Sequence, residues 1–110
     1  MAVALAEMCI PARIGVRAVI TDPSADASTG AHPVDAFDTW AFGEGPGGVL
    51  LACAPEDFDE LAAICADIPF VRLGETGGDQ IVLEGAAASL HVQVEEAVKA
   101  YEEAVPSSFE

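Results

Sequence analysis

Positive charge is scarce in this chain. Its 110 residues carry 4 Lys and Arg against 19 Asp and Glu, a formal net charge of −15. Nucleic-acid backbones and anionic membrane surfaces repel such a protein, so neither is an expected partner. Long apolar runs are also missing. None approaches the roughly 20 residues a membrane helix needs. The apolar opening, residues 1–10, lacks the basic flank of a signal peptide. Histidine is limited to His32 and His91, and the three cysteines Cys9, Cys53 and Cys65 have no C-x-x-C spacing. A zinc site is therefore not expected, and reduced core thiols in a cytoplasmic protein are. No Ser or Cys stands at a spacing that makes either histidine half of a nucleophile–base pair.

Hydrophobic residues nevertheless make up 52% of the chain. That fraction supports one folded domain spanning residues 1–110. Much of it is alanine, which favours helices and a core of small side chains. The acids recur in residues 56–67 and 95–103, both helical in pattern, and are read as solvated helix faces. An acid-rich surface whose single lysine is Lys99 suits a cytoplasm of high salt, where counterions screen self-repulsion. An ordinary acidic protein is the competing explanation.

The order of elements follows from periodicity. Residues 2–8 form an uncapped helix with Ala2, Leu5, Ala6 and Cys9 on one face, and a helix starting this abruptly looks cut from something longer. Residues 14–20 alternate as a strand, with Ile14, Val16, Ala18 and Ile20 inward and Arg17 outward. Residues 21–33 are small and polar and are expected to be a mobile loop. Residues 34–41 form a short helix carrying Phe37 and Trp40.

The apolar run 49–53 is expected to be a central strand covered on both faces. Pro55 at the first helical position starts a helix with Phe58, Leu61, Ala62 and Cys65 on its apolar face, and Pro69 ends it. Residues 70–73 and 80–83 are strands joined as a hairpin by the glycine turn 74–79. Residues 90–92 form an edge strand. A last helix with Val94, Ala97, Val98 and Tyr101 inward stops before Pro106, leaving 106–110 frayed. The expected fold is α+β, a mixed sheet with helices on both sides in three α/β/α layers, in the order α-β-α-β-α-β-β-α, with a right-handed crossover from 49 to 73.

Several side-chain groups invite a functional reading. In the run Gly43-Glu44-Gly45-Pro46-Gly47-Gly48, glycine lets backbone N–H groups approach an anion. It lacks the Lys-Ser/Thr of a P-loop, and a purely structural turn explains it as well. Glu44 is a ligand-facing carboxylate or a solvated loop acid. Glu75 and Asp79 either bind a cation or keep the hairpin polar.

Taken in order, the Phe42-Gly43-Glu44 turn, the strand 49–53, the Pro55-Glu56-Asp57 helix start and Gly74-x-x-Gly77-Gly78-Asp79 between strands resemble one family. They are similar to the carboxyl-terminal domain of the synthetase subunit of phosphoribosylformylglycinamidine synthase, related to aminoimidazole ribotide synthases. The resemblance implies the mixed α/β fold. It also implies a parent enzyme that converts formylglycinamide ribonucleotide to the amidine with ATP, magnesium and glutamine-derived ammonia.

In such an enzyme the cofactors belong to an amino-terminal nucleotide-binding domain and ammonia to a glutaminase partner. The fragment itself would hold no cofactor, contribute no catalytic residue and be inactive alone. Substrate contacts would fall to Gly43, Glu44, Gly45 and Gly47. Two departures weaken side-chain phosphate contact: Gly48 replaces a frequent basic residue, and Gly45 a frequent serine. Leu5, Met8, Trp40 and Phe42 are expected on a surface that docks the neighbouring domain or drives self-association. A stand-alone interaction module, or a fragment of a selenophosphate synthetase or thiamine-phosphate kinase, remain the alternatives.

Overall fold

The structure is a computed structural model describing residues 1–19, 41–42, 48–68, 70–85 and 88–109. Helix α1, Ala2–Cys9, lays Ala2, Leu5 and Cys9 into the core. The chain then reverses through Arg13, whose φ of 52° lies in the left-handed region. Strand β1, Val16–Val19, buries Val16 and Ala18 and exposes Arg17 and Val19. The alternation read from sequence is therefore present from Val16 to Val19; Ile14 is 47% exposed, ahead of the paired residues, and Ile20 lies outside the described residues.

A single 3-10 turn, Pro55–Asp57, leads into helix α2, Phe58–Ile64. Its four half-buried residues at and around the helix, Phe58, Leu61, Ala62 and Cys65, are those of the expected apolar face. Strands β2 (Gly74–Thr76), β3 (Gln80–Glu84) and β4 (Ser89–Gln93) follow, then helix α3, Val94–Phe109. Val94 opens α3 with a backbone bond to Asp79 at 2.9 Å. Glu96 caps it, accepting the Gln93 N–H at 3.3 Å, one half of a capping box.

The four strands form one mixed sheet in the order β2-β1-β3-β4. β1 is antiparallel to β2 and parallel to β3; β3 and β4 are antiparallel. Ile81 and Leu83 meet Val16, Ala18, Leu5, Cys9, Val94 and Val98 in one core, so α1 and α3 share a sheet face. The α+β class with a mixed sheet is thus realised.

Some expectations are corrected. Residues 49–53 form no strand: Val49 is 78% and Leu51 60% exposed, and only Leu50 packs on the core. A short apolar run fits strand and loop equally by periodicity, and this one has no paired neighbour. The crossover expected from it is absent with it.

Residues 70–73 likewise stop short of a strand. Pairing is displaced into the glycine turn, where a Cβ on Gly74 would lie 1.8 Å from the Arg17 carbonyl oxygen. Only glycine lets the two backbones approach this closely. The hairpin is corrected too: β2 and β3 do not pair, because β1 slots between them. The chain crosses the start of β1 at Gly15, which exchanges 2.8 Å backbone bonds with Gly77 and Gly78. Tyr101 is 62% exposed, so the apolar stripe of α3 ends at Val98. The α3 backbone runs through Pro106 to Phe109, although proline removes one helical hydrogen bond. The predicted loop 21–33 and helix 34–41 lie outside the described residues, apart from Ala41, which is helical and buried.

Candidate functional site

The glycine turn expected to contact substrate, Gly43, Glu44, Gly45 and Gly47, lies outside the described residues, and so does Trp40. Its two flanks are described, and they converge on one place. On one side the Ala41 carbonyl accepts a 3.2 Å hydrogen bond from the Met1 ammonium group. On the other, a Cβ on Gly48 would lie 3.9 Å from the Met1 side-chain methyl. Ala41 and Gly48 thus both meet Met1, at the start of α1.

Of the expected docking surface, Met8 is 46% and Phe42 58% exposed. Leu5 is corrected: it is a core residue, 7% exposed, because it falls on the α1 face that α3 and β3 cover. Other exposed apolar side chains were not anticipated. Val49, Leu51, Ile64, Ile68 and Val71 are each more than half exposed. Two of them, Val49 and Leu51, lie in the run 49–53, which its composition suggested was buried.

The charged groups pair off in ways that spacing along the chain did not show. Arg13 grips both carboxylate oxygens of Glu95 at 2.9 and 2.7 Å, and this contact pushes its pKa upward. Arg17 meets Glu84 at 2.5 Å. Arg72 bonds Glu75 at 2.8 Å and lies 5.2 Å from the centre of the Phe58 ring, which also contacts Phe70 at 5.8 Å. This small cluster ties α2 to β2.

Glu75 is thus paired with an arginine. Among the described residues no group of His, Cys, Asp or Glu could hold a metal ion. His91 stands exposed on β4. Burial raises the pKa of the Cys9 thiol, whereas Cys53 is exposed and Cys65 half-buried. A depression lined by Glu84, Gly85, Ala88 and Ser89 opens beside the β3–β4 turn. Among the described residues no helix is long and apolar enough to cross a membrane.

These elements, an α+β domain with a mixed four-stranded sheet, fit one family. Residues 1–86 match the family described as AIR synthase related protein, C-terminal domain, and the chain belongs to it. Among curated proteins it is similar to phosphoribosylformylglycinamidine synthase subunit PurL. It is 35% identical to that of Anaeromyxobacter dehalogenans strain 2CP-C, over 97% of this chain and 14% of the relative. Against that of Thermobifida fusca it is 30% identical, over 99% of this chain and 13% of the relative. The chain spans about one seventh of the length of the relatives it matches. No solved structure matches it significantly.

Proposed function

We propose that this chain serves as the carboxyl-terminal domain of a phosphoribosylformylglycinamidine synthase synthetase subunit. In that setting it contributes to the ATP-dependent conversion of formylglycinamide ribonucleotide to the amidine, a step of purine biosynthesis carried out in the cytoplasm. The observation that carries this reading is the similarity to PurL along nearly the whole chain. The domain's task is structural support of a site completed elsewhere. Its partners are an amino-terminal nucleotide-binding domain and a glutaminase that delivers ammonia.

In this reading ATP and magnesium are held by the amino-terminal domain. Among the described residues Arg13, Arg17 and Arg72 are each paired with a carboxylate. No step of phosphoryl transfer is assigned to them. The chain alone is therefore expected to release no phosphate from ATP in the presence of formylglycinamide ribonucleotide and ammonium.

A chimera tests the reading directly. This chain replaces the matching segment of the Anaeromyxobacter PurL subunit, and ammonia-dependent amidine formation is compared with a deletion lacking that segment. Turnover above the deletion supports the assignment. A folded chimera no more active than the deletion refutes it and favours a stand-alone interaction module.

A further inference from the structure

Among the described residues the sheet has β2 and β4 as its edges, and the two are built differently. β2 offers three residues, and its Glu75 is clasped by Arg72. β4 offers five, Ser89–Gln93, in unbroken register with β3 from Gln80↔Gln93 to Glu84↔Ser89. From Gly85 to Val94 there is no Asp, Glu, Lys, Arg or Pro, in a chain of net charge −15. Edge strands are ordinarily guarded against pairing by charge, proline, bulges or shortness. β2 has two of these guards, whereas β4 has only the Glu96 carboxylate at its Gln93 end.

The ladder fixes which backbone groups β4 leaves open. Gly85 N–H bonds the Ala88 carbonyl at 2.8 Å, and Val94 N–H the Asp79 carbonyl at 2.9 Å. Antiparallel pairs alternate between bonded and non-bonded, so Leu83↔Leu90 and Ile81↔Val92 are the bonded pairs between them. The N–H and C=O of Ser89 and His91 then point away from β3, and both side chains are exposed. The Gln93 N–H is already taken by Glu96.

We propose that β4 is the seam for a second copy of this chain, pairing antiparallel with its own counterpart about a two-fold axis to give an eight-stranded sheet. An antiparallel strand is complementary to itself: Ser89 and His91 offer one donor and one acceptor each to the same two residues of the other copy. From Ser89 to His91 the seam carries no formal charge, and the Glu96 carboxylate stands only at its Gln93 end. The short, charged β2 edges become the outer rims, which closes the assembly at two copies rather than a filament. Because each copy carries −15, association strengthens as salt screens the bodies from each other. The seam lies beyond residues 1–86, which carry the family match, and does not depend on the proposed function.

Sedimentation over a concentration series in 1 M KCl tests this, with repetition at 0.1 M KCl. We expect a monomer–dimer equilibrium, tighter at the higher salt. His91→Pro removes only an outward N–H and leaves the β3–β4 ladder bonds in place. His91→Glu keeps the backbone and sets carboxylates close together across the two-fold. Each should raise the dimer dissociation constant about tenfold or more, a loss of about 1.4 kcal/mol. Circular dichroism and urea titration establish that both variants stay folded. Phe42→Ser, on the other candidate surface, should leave the equilibrium unchanged. A monomer at every concentration in 1 M KCl overturns the proposal. So does growth beyond two copies, or a dimer that Phe42→Ser dissociates while both His91 variants do not.

Discussion

Replacing Gly15 by alanine should be among the most damaging single-methyl changes available in this fold. A Cβ there would sit 2.2 Å from the Gln80 carbonyl oxygen, 2.7 Å from its nitrogen and 2.8 Å from the Gly77 carbonyl oxygen. The nearest of these is more than 1 Å inside the roughly 3.5 Å at which carbon and its neighbours rest. All three obstacles are backbone, so no side chain can swing away. Relief requires β1 and the crossing 77–80 to separate, which puts both 2.8 Å bonds between Gly15 and Gly77/Gly78 at risk.

Two such bonds contribute about 1 kcal/mol each, net of water. Overpacking adds about 1–3 kcal/mol. The expected loss is thus about 3–5 kcal/mol, or a melting temperature lower by on the order of 15 °C. Urea unfolding in 1 M KCl measures it, since high salt removes charge repulsion as a confounding term. Gly48→Ala is the matched control: among the described residues only the Met1 methyl comes within 4 Å, at 3.9 Å, and stability should move by less than about 1 kcal/mol. A Gly15→Ala protein within about 1 kcal/mol of the parent, with unchanged m-value, would show that the crossing at Gly15 is wrong.

Other consequences can be measured alongside. Leu83 is fully buried in the central strand, so Leu83→Ala should cost about 2–5 kcal/mol by the same titration. The melting temperature of the parent should rise from 0.01 to 1 M KCl, as the Debye length falls from about 30 Å to about 3 Å; a flat curve refutes self-repulsion as a destabilising force. Thiol labelling under native conditions should modify Cys53 first, Cys65 more slowly and Cys9 last. Burial raises the Cys9 pKa above its unfolded value, so the stability tied to the protonated thiol is complete below the unfolded pKa. It is lost as pH rises towards the folded one, and Cys9→Ala should flatten that alkaline decline.

The parts of the fold legible in the sequence were those with a clear period. α1, β1, the apolar face of α2 and the start of α3 each show alternation or a 3.6-residue repeat, and each falls where that pattern puts it. The run 49–53 has no period, so its composition alone suggested a buried strand, and exposure of Val49 and Leu51 was invisible. The β2–β1–β3 order was equally hidden. Glycine at 74 and 78 signals a turn locally, whereas the reason for Gly15 and Gly74 is backbone from some 60 residues away. The ion pairs Arg13–Glu95 and Arg17–Glu84 join positions 82 and 67 residues apart, and no spacing rule reaches that far. For the candidate site, the glycine run 43–47 lies outside the described residues, and the approach of its flanks Ala41 and Gly48 to Met1 depends on tertiary contact that no spacing shows.

The placement of β1 between β2 and β3 also sets an order of assembly. β3, β4 and α3 are contiguous and can associate through local contacts. β1 can join them only after the chain has closed a loop from Val19 to Gly74, because its partners lie on both sides of it. Non-local closure of this kind slows folding, and during synthesis the first 19 residues must wait for the last third of the chain. The same arithmetic makes the intervening stretch permissive. Closure entropy grows only logarithmically, so doubling the length between β1 and β2 costs about 0.6 kcal/mol. Insertions there are cheap for the sheet, while one added methyl at Gly15 is not.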